Sequence, residues 1–131
     1  MRLGHSITPP VVLVVEDEPL VRMTAADELD EAGFLVLEAK NADEAIAVLE
    51  GHSDEVQVLF TDVDMPGSMN GMDLAEQVYR RWPHVLLLIS SGDARPHPDE
   101  IPDHGHFLPK PYRGATLVRH IVEMMQTLRS S

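Results

Sequence analysis

The sequence predicts a doubly wound α/β domain, with a parallel five-stranded sheet covered by helices on both faces. Two observations carry this expectation. Strand-type and helix-type segments alternate along the 131 residues, the pattern of repeated strand–helix–strand units. The strand segments are also continuously apolar and β-branched, as in Val11-Val12-Leu13-Val14-Val15, which marks strands covered on both faces rather than one.

The elements follow in order. Pro19 opens the first helix at a position where a missing amide costs little. Val21, Ala25, Leu29 and Ala32 then recur at helical spacing, and Gly33 ends the helix. Residues 34–39 read as the second strand. Asn41 is an N-cap with Glu44 in the capping-box position, and that helix is expected to run to Glu50 and be stopped by Gly51. Residues 56–61 form the third strand, Gly71–Arg81 the third helix, 85–90 the fourth strand, 107–109 a short fifth strand and 116–128 the last helix. Between Ser90 and Phe107, where another helix is due, Pro96, Pro98 and Pro102 remove amides and clash with a helical path, so that helix is expected to be absent or a single turn. Five strands in a chain of this length suit the flavodoxin-like order 2-1-3-4-5. One domain is expected over residues 10–128, with flexible tails at 1–9 and 129–131.

Composition removes several function classes. There is no cysteine, which excludes disulfides and thiolate metal sites. The net charge is −12 and the ten basic residues are scattered, which argues against a nucleic-acid partner. No apolar run approaches the roughly 20 residues of a membrane span, and Met1–Pro10 has no apolar signal segment. A cytoplasmic protein without a membrane partner is the expectation.

In a doubly wound sheet, ligands bind beyond the carboxyl ends of the strands, where the order reverses between strands 1 and 3. Glu16-Asp17 follow strand 1 and Asp62 ends strand 3, so three carboxylates share one crevice. They repel one another there, and a hard divalent cation relieves the repulsion: Mg²⁺, or Mn²⁺ in its place. Asp17 and Asp62 are the candidate direct ligands, Glu16 acts through water, and the Asp64 backbone carbonyl supplies another oxygen. Asp62 is the candidate nucleophile, forming an acyl phosphate. Lys110 pairs with Asp62 at rest and with a phosphoryl oxygen afterwards, and the Ser90 hydroxyl donates to another. Lys110-Pro111 is a candidate cis peptide. Taken singly, Asp62 and Ser90 would merely cap strand ends and Lys110 would be a surface lysine; their joint placement selects the site. His104-Gly105-His106 lacks further ligands at metal-binding spacing and reads as a loop entering a strand.

At these residues the chain resembles the receiver domains of bacterial two-component response regulators, over nearly its whole length. The matching motifs are Glu16-Asp17, Asp62-Val63-Asp64-Met65-Pro66, Ser90-Ser91 and Lys110-Pro111. The resemblance implies a phosphorelay switch rather than an enzyme. Asp62 would accept a phosphoryl group from a histidine kinase or histidine phosphotransfer protein, with acetyl phosphate as a substitute donor, and output would pass through protein–protein contact. It also implies that Ser90 is drawn to the phosphoryl group while an aromatic of strand 5, Phe107 by position, turns inward. The chain departs from the pattern at Glu16, where aspartate is commoner; in the loop after the acceptor, which is one residue longer than the commonest form; and at Phe107, which lacks a tyrosine hydroxyl. The proline-rich stretch also replaces helix 4, part of the family's usual output surface.

Alternatives are a receiver module of a hybrid histidine kinase or larger regulator, and a phosphatase of the haloacid-dehalogenase type, suggested by Asp62-Val63-Asp64. The latter lacks room for its usual cap domain. A receiver-like module without phosphorylation would lack the acceptor, the acids or the lysine, all of which are present. On the last helix Leu117, Ile121, Met124 and Leu128 can face the sheet, with Val118, Val122 and Met125 as a flanking stripe. That stripe is either a wide core face or a homodimer contact. Leu20 and Met23 lie off the core face of the first helix, which in this family commonly touches the kinase.

Overall fold

The computed structural model describes residues 9–67, 69–92 and 105–130, with side chains as far as Gln126. Among these residues the chain runs β1 (Val11–Val15), α1 (Pro19–Glu31), β2 (Leu35–Ala39), α2 (Ala42–His52), β3 (Val56–Asp62), α3 (Gly71–Arg81), β4 (Leu86–Ser91), β5 (Gly105–Pro109) and α4 (Gly114–Ser130). The strands form one parallel sheet in the order β2-β1-β3-β4-β5, the order expected. The three prolines lie in residues 93–104, so the expectation about a helix there falls outside the described residues.

The continuous apolar runs are explained by the pleat. Successive side chains point to opposite faces, and here both faces are covered. Val11, Leu13 and Val15 join Leu49, Leu59, Leu74, Val78 and Ile89 in a core beneath α2 and α3. Val12 and Val14 join Leu29, Phe60, Leu88, Leu117 and Ile121 in a second core beneath α1 and α4. Each such fully buried side chain contributes roughly 1.5–3 kcal/mol. The β1–β3 register slips once, with Val11 opposite Val56 but Val12 opposite Val58. The skipped residue is Gln57, and the slip leaves that polar side chain exposed.

Several boundaries differ from expectation for local reasons. Gly51 does not stop α2. The helix continues to His52 and closes at Ser53 in ordinary right-handed geometry, so no left-handed glycine is required. Asn41 caps α2 by accepting from the Glu44 amide at 2.8 Å, but the Glu44 carboxylate reaches the Lys40 amide, one residue before the cap. The complete capping box belongs to α3, where Asn70 and Asp73 exchange side-chain and backbone bonds. Gly33 does end α1, at φ 99°. Helix α4 starts at Gly114, two residues early, because the Arg113 carbonyl accepts from the Thr116 and Leu117 amides. Val118, Val122 and Met125 are half-buried against the second core, giving α4 a wide core face. Leu20 and Met23 stand out from α1, 80% and 53% exposed.

Candidate functional site

Because the sheet is parallel, every strand delivers its carboxyl end to one edge. Asp62 is the last residue of β3 and sits opposite Ser90 of β4, which in turn sits opposite Leu108 of β5. Glu16 continues β1 by donating its amide to the Ala39 carbonyl at 3.0 Å. Glu16, Asp62, Ser90 and Ser91 are all buried at this edge. Carboxylate oxygens of Glu16, Asp17 and Asp62 lie within 4.8 Å of one another. From the β5–α4 connection Lys110 reaches into the crevice, its Nζ 3.1 Å from Asp62 Oδ2 and 3.5 Å from Glu16 Oε1. The Lys110–Pro111 peptide is cis, as read from the sequence.

The backbone around Asp62 is fixed on both sides. The Val63 amide donates to the Ser90 carbonyl at 2.8 Å, and the Gly71 amide donates to the Val63 carbonyl at 2.9 Å. Gly71 approaches so closely that a β-carbon there would collide with the Asp62 carbonyl, a position only glycine fills without displacement. The Asp64 amide donates to Asp62 Oδ1 at 3.3 Å, and Ser91 Oγ donates to Asp64 Oδ2 at 3.3 Å. Ser90 Oγ is buried and, among the described residues, has no hydrogen-bond partner. A buried hydroxyl without a partner is costly, and Ser90 lines the same small cavity as Asp62 and Lys110, where its hydroxyl can donate to a group that arrives.

The electrostatics are those of crowded acids. Burial pushes the Glu16 carboxyl up to about 7; the Glu18 amide and Lys110 oppose the rise, while Asp62 and Asp17 add to it. Burial lowers Lys110, but the hydrogen bond and charge of Asp62, together with Glu16, outweigh it and leave the ammonium raised. One ammonium faces three carboxylates. An all-oxygen, acidic donor set of this kind fits a hard divalent cation.

The crevice thus brings together Glu16, Asp17, Asp62, Ser90 and Lys110, with the exposed Asp64 at its rim. Phe107 is set apart from it, half-buried on β5 opposite Ile89 and packed on the first core. Sequence reading missed two residues. Tyr112 stacks edge-on to Phe60 at 5.7 Å, and burial pushes its hydroxyl up to about 12. Arg22 of α1 donates from Nη1 to the Glu16 carbonyl at 2.8 Å and from Nε to Glu38 Oε1 at 3.2 Å. The available signals were a tyrosine just beyond Lys110-Pro111 and an arginine little more than one helical turn after Asp17.

Comparison with known proteins agrees with this fold. Residues 12–122 match the family model described as the response regulator receiver domain. The sensor kinase CckA of Brucella abortus is 33% identical over 118 residues, covering 88% of this chain and 12% of the kinase. The transcriptional regulatory protein PdtaR of Mycobacterium tuberculosis is 30% identical over 118 residues, covering 88% of this chain and 56% of that protein. The chain therefore spans only part of the length of these curated relatives. Among solved structures, the receiver domain of the hybrid histidine kinase CckA superposes with a TM-score of 0.76 at 31% identity, covering 87% of this chain and 97% of that one.

Proposed function

This chain belongs to the family of response regulator receiver domains, signalling switches of two-component phosphorelays rather than classical enzymes, and from that premise we propose that Asp62 is its phosphoryl acceptor. The observation that carries the assignment is the placement of Asp62 with Lys110 at 3.1 Å and the unpartnered Ser90 hydroxyl in one buried crevice. The family match favours this reading over the haloacid-dehalogenase alternative, and the presence of Glu16, Asp17, Asp62 and Lys110 speaks against a phosphorylation-deficient module.

An Asp62 carboxylate oxygen attacks the phosphorus of a phosphohistidine in line. The new P–O bond forms as the P–N bond breaks, and the imidazole leaves with the electron pair. The Lys110 ammonium, held in its charged form, moves from Asp62 to a phosphoryl oxygen, and Ser90 Oγ donates to another. Asp17 and Asp62, with Glu16 through water and the Asp64 carbonyl, are the residues that would hold Mg²⁺, or Mn²⁺ in its place. Bound there, the ion neutralises charge on the phosphoryl oxygens.

The donor is a histidine kinase or histidine phosphotransfer protein. A cleft of about 580 Å³ between α1 and the start of α4 opens beside Lys110, lined by Leu20, Val21, Tyr112 and Leu117 among others, and supports docking along α1. Once Ser90 is engaged, Phe107 turns inward and the β4–β5–α4 side signals to a partner protein. Support for this is the β4–β5 register, which links Ser90 and Phe107 through adjacent positions. No described helix is long and apolar enough to cross a membrane.

Borohydride trapping tests the acceptor, because it reduces an acyl phosphate to homoserine. Peptide mapping after phosphorylation is expected to find homoserine at position 62. Trapping at another aspartate would contradict the assignment.

A further inference from the structure

Glu16 is gripped at more points than its neighbour. Its amide bonds to Ala39, its Oε2 accepts from the Glu18 amide at 3.1 Å, and its carbonyl accepts from Arg22 at 2.8 Å. That carbonyl belongs to the peptide joining Glu16 to Asp17, so whatever fixes it fixes where the Asp17 carboxylate starts. Arg22 is well placed for this. Its side chain is only 19% exposed, and its other donor is anchored to Glu38 on the edge strand β2 at 3.2 Å. A guanidinium is a rigid fork that can bridge two acceptors, which a lysine ammonium does less well.

We infer that Arg22 is a positioning residue for the acidic pair: bridged between Glu38 and the Glu16 carbonyl, it holds the Glu16–Asp17 peptide in the orientation that lets the carboxylates take a divalent cation. This rests on the reading of the crevice as a magnesium site. The sign of the effect separates it from a mere charge effect. A cation near a cation site repels the ion, so if only charge mattered, removing Arg22 would tighten magnesium binding. If Arg22 positions the pair, removing it weakens binding despite the lost repulsion.

The test is calorimetric titration of Mg²⁺ into the full chain for wild type, Arg22→Met, Arg22→Lys and Glu38→Gln, with melting temperatures taken without metal. Arg22→Met is expected to bind about tenfold more weakly, as loss of a group that orients ligands does. Arg22→Lys should recover part of that loss, and Glu38→Gln should lose less than Arg22→Met. In the metal-free state the Asp17 amide nitrogen resonance should move in Arg22→Met, since its peptide loses the guanidinium hydrogen bond. Unchanged or tighter binding by Arg22→Met would overturn the inference. If that variant melts early, Arg22→Lys decides: it keeps the charge and loses only the bridging fork, so wild-type affinity there would overturn the inference too. Failure of the wild type itself to bind magnesium would instead contradict the reading of the crevice, and this inference with it.

Discussion

Up to Val15 the first strand is apolar on both faces, with Leu13 packed beneath α2 and α3 and Val14 beneath α1 and α4. One residue further on the chain buries Glu16, and across the sheet it buries Asp62 and Ser90 as deeply as the leucines below them. In the body, pattern, propensity and packing agree. At the carboxyl edge they conflict: three acids crowd around one lysine, and a hydroxyl is buried without a partner among the described residues. Such conflicts persist where function needs them. The body supplies the stability that lets the edge remain unsatisfied until a cation and a phosphoryl group arrive.

Substitutions that separate the two regions sharpen this contrast. The largest stability effect belongs to the body: Leu59→Ala empties a fully buried position and should cost about 2–5 kcal/mol in denaturant unfolding. The fraction that stays folded should still accept a phosphoryl group. Gly71→Ala lies at the join, since its β-carbon would collide with the Asp62 carbonyl. It should destabilise by about 1–3 kcal/mol and also slow phosphorylation of the folded protein, as a phosphorylation time course would show.

At the edge the signs change. Burial raises the Glu16 carboxyl from the ordinary 4.5 to about 7 in the folded protein, so the native state holds the extra proton. The stability this gives is fully present below pH 4.5 and is lost as pH rises through 7. Metal-free wild type should therefore weaken across that interval, and Glu16→Gln should flatten the profile, gaining on the order of 2 kcal/mol above it. A profile that falls equally in both proteins would contradict the burial of a charged Glu16. Ser90→Ala is the smallest change: removing a buried hydroxyl that has no partner among the described residues should raise stability by about 1 kcal/mol. Yet the beryllofluoride adduct of this variant should no longer shift the Phe107 ring resonances, whereas that of the wild type should.

The same contrast explains what the sequence disclosed. Strand order was legible from the alternation of strand and helix segments, and the placement of Glu16, Asp17 and Asp62 because a buried-type strand ends abruptly in an acid; Lys110 stood out by its place between two prolines, since β5 itself is only partly buried. Gly51 misled because a glycine near a helix end need not be used as a cap, and α2 closes through Ser53 instead. Glu44 was read as closing a capping box on Asn41, but its side chain reaches one residue further back. Arg22 and Tyr112 were not legible, since their roles depend on Glu38 and Phe60, partners that only the assembled sheet brings near. The unsatisfied state of Ser90 is likewise a property of packing, although its position at the end of the fourth strand was plain.

The most direct test of the edge as a phosphorylation site is intact-mass spectrometry of wild type and Asp62→Asn after incubation with acetyl phosphate and Mg²⁺, repeated with the metal chelated. The expected result is one added phosphoryl group on the wild type alone, lost on chelation. An adduct of equal yield on Asp62→Asn would contradict the assignment of Asp62. An adduct on the wild type that survives chelation would contradict the role given to the acidic cluster.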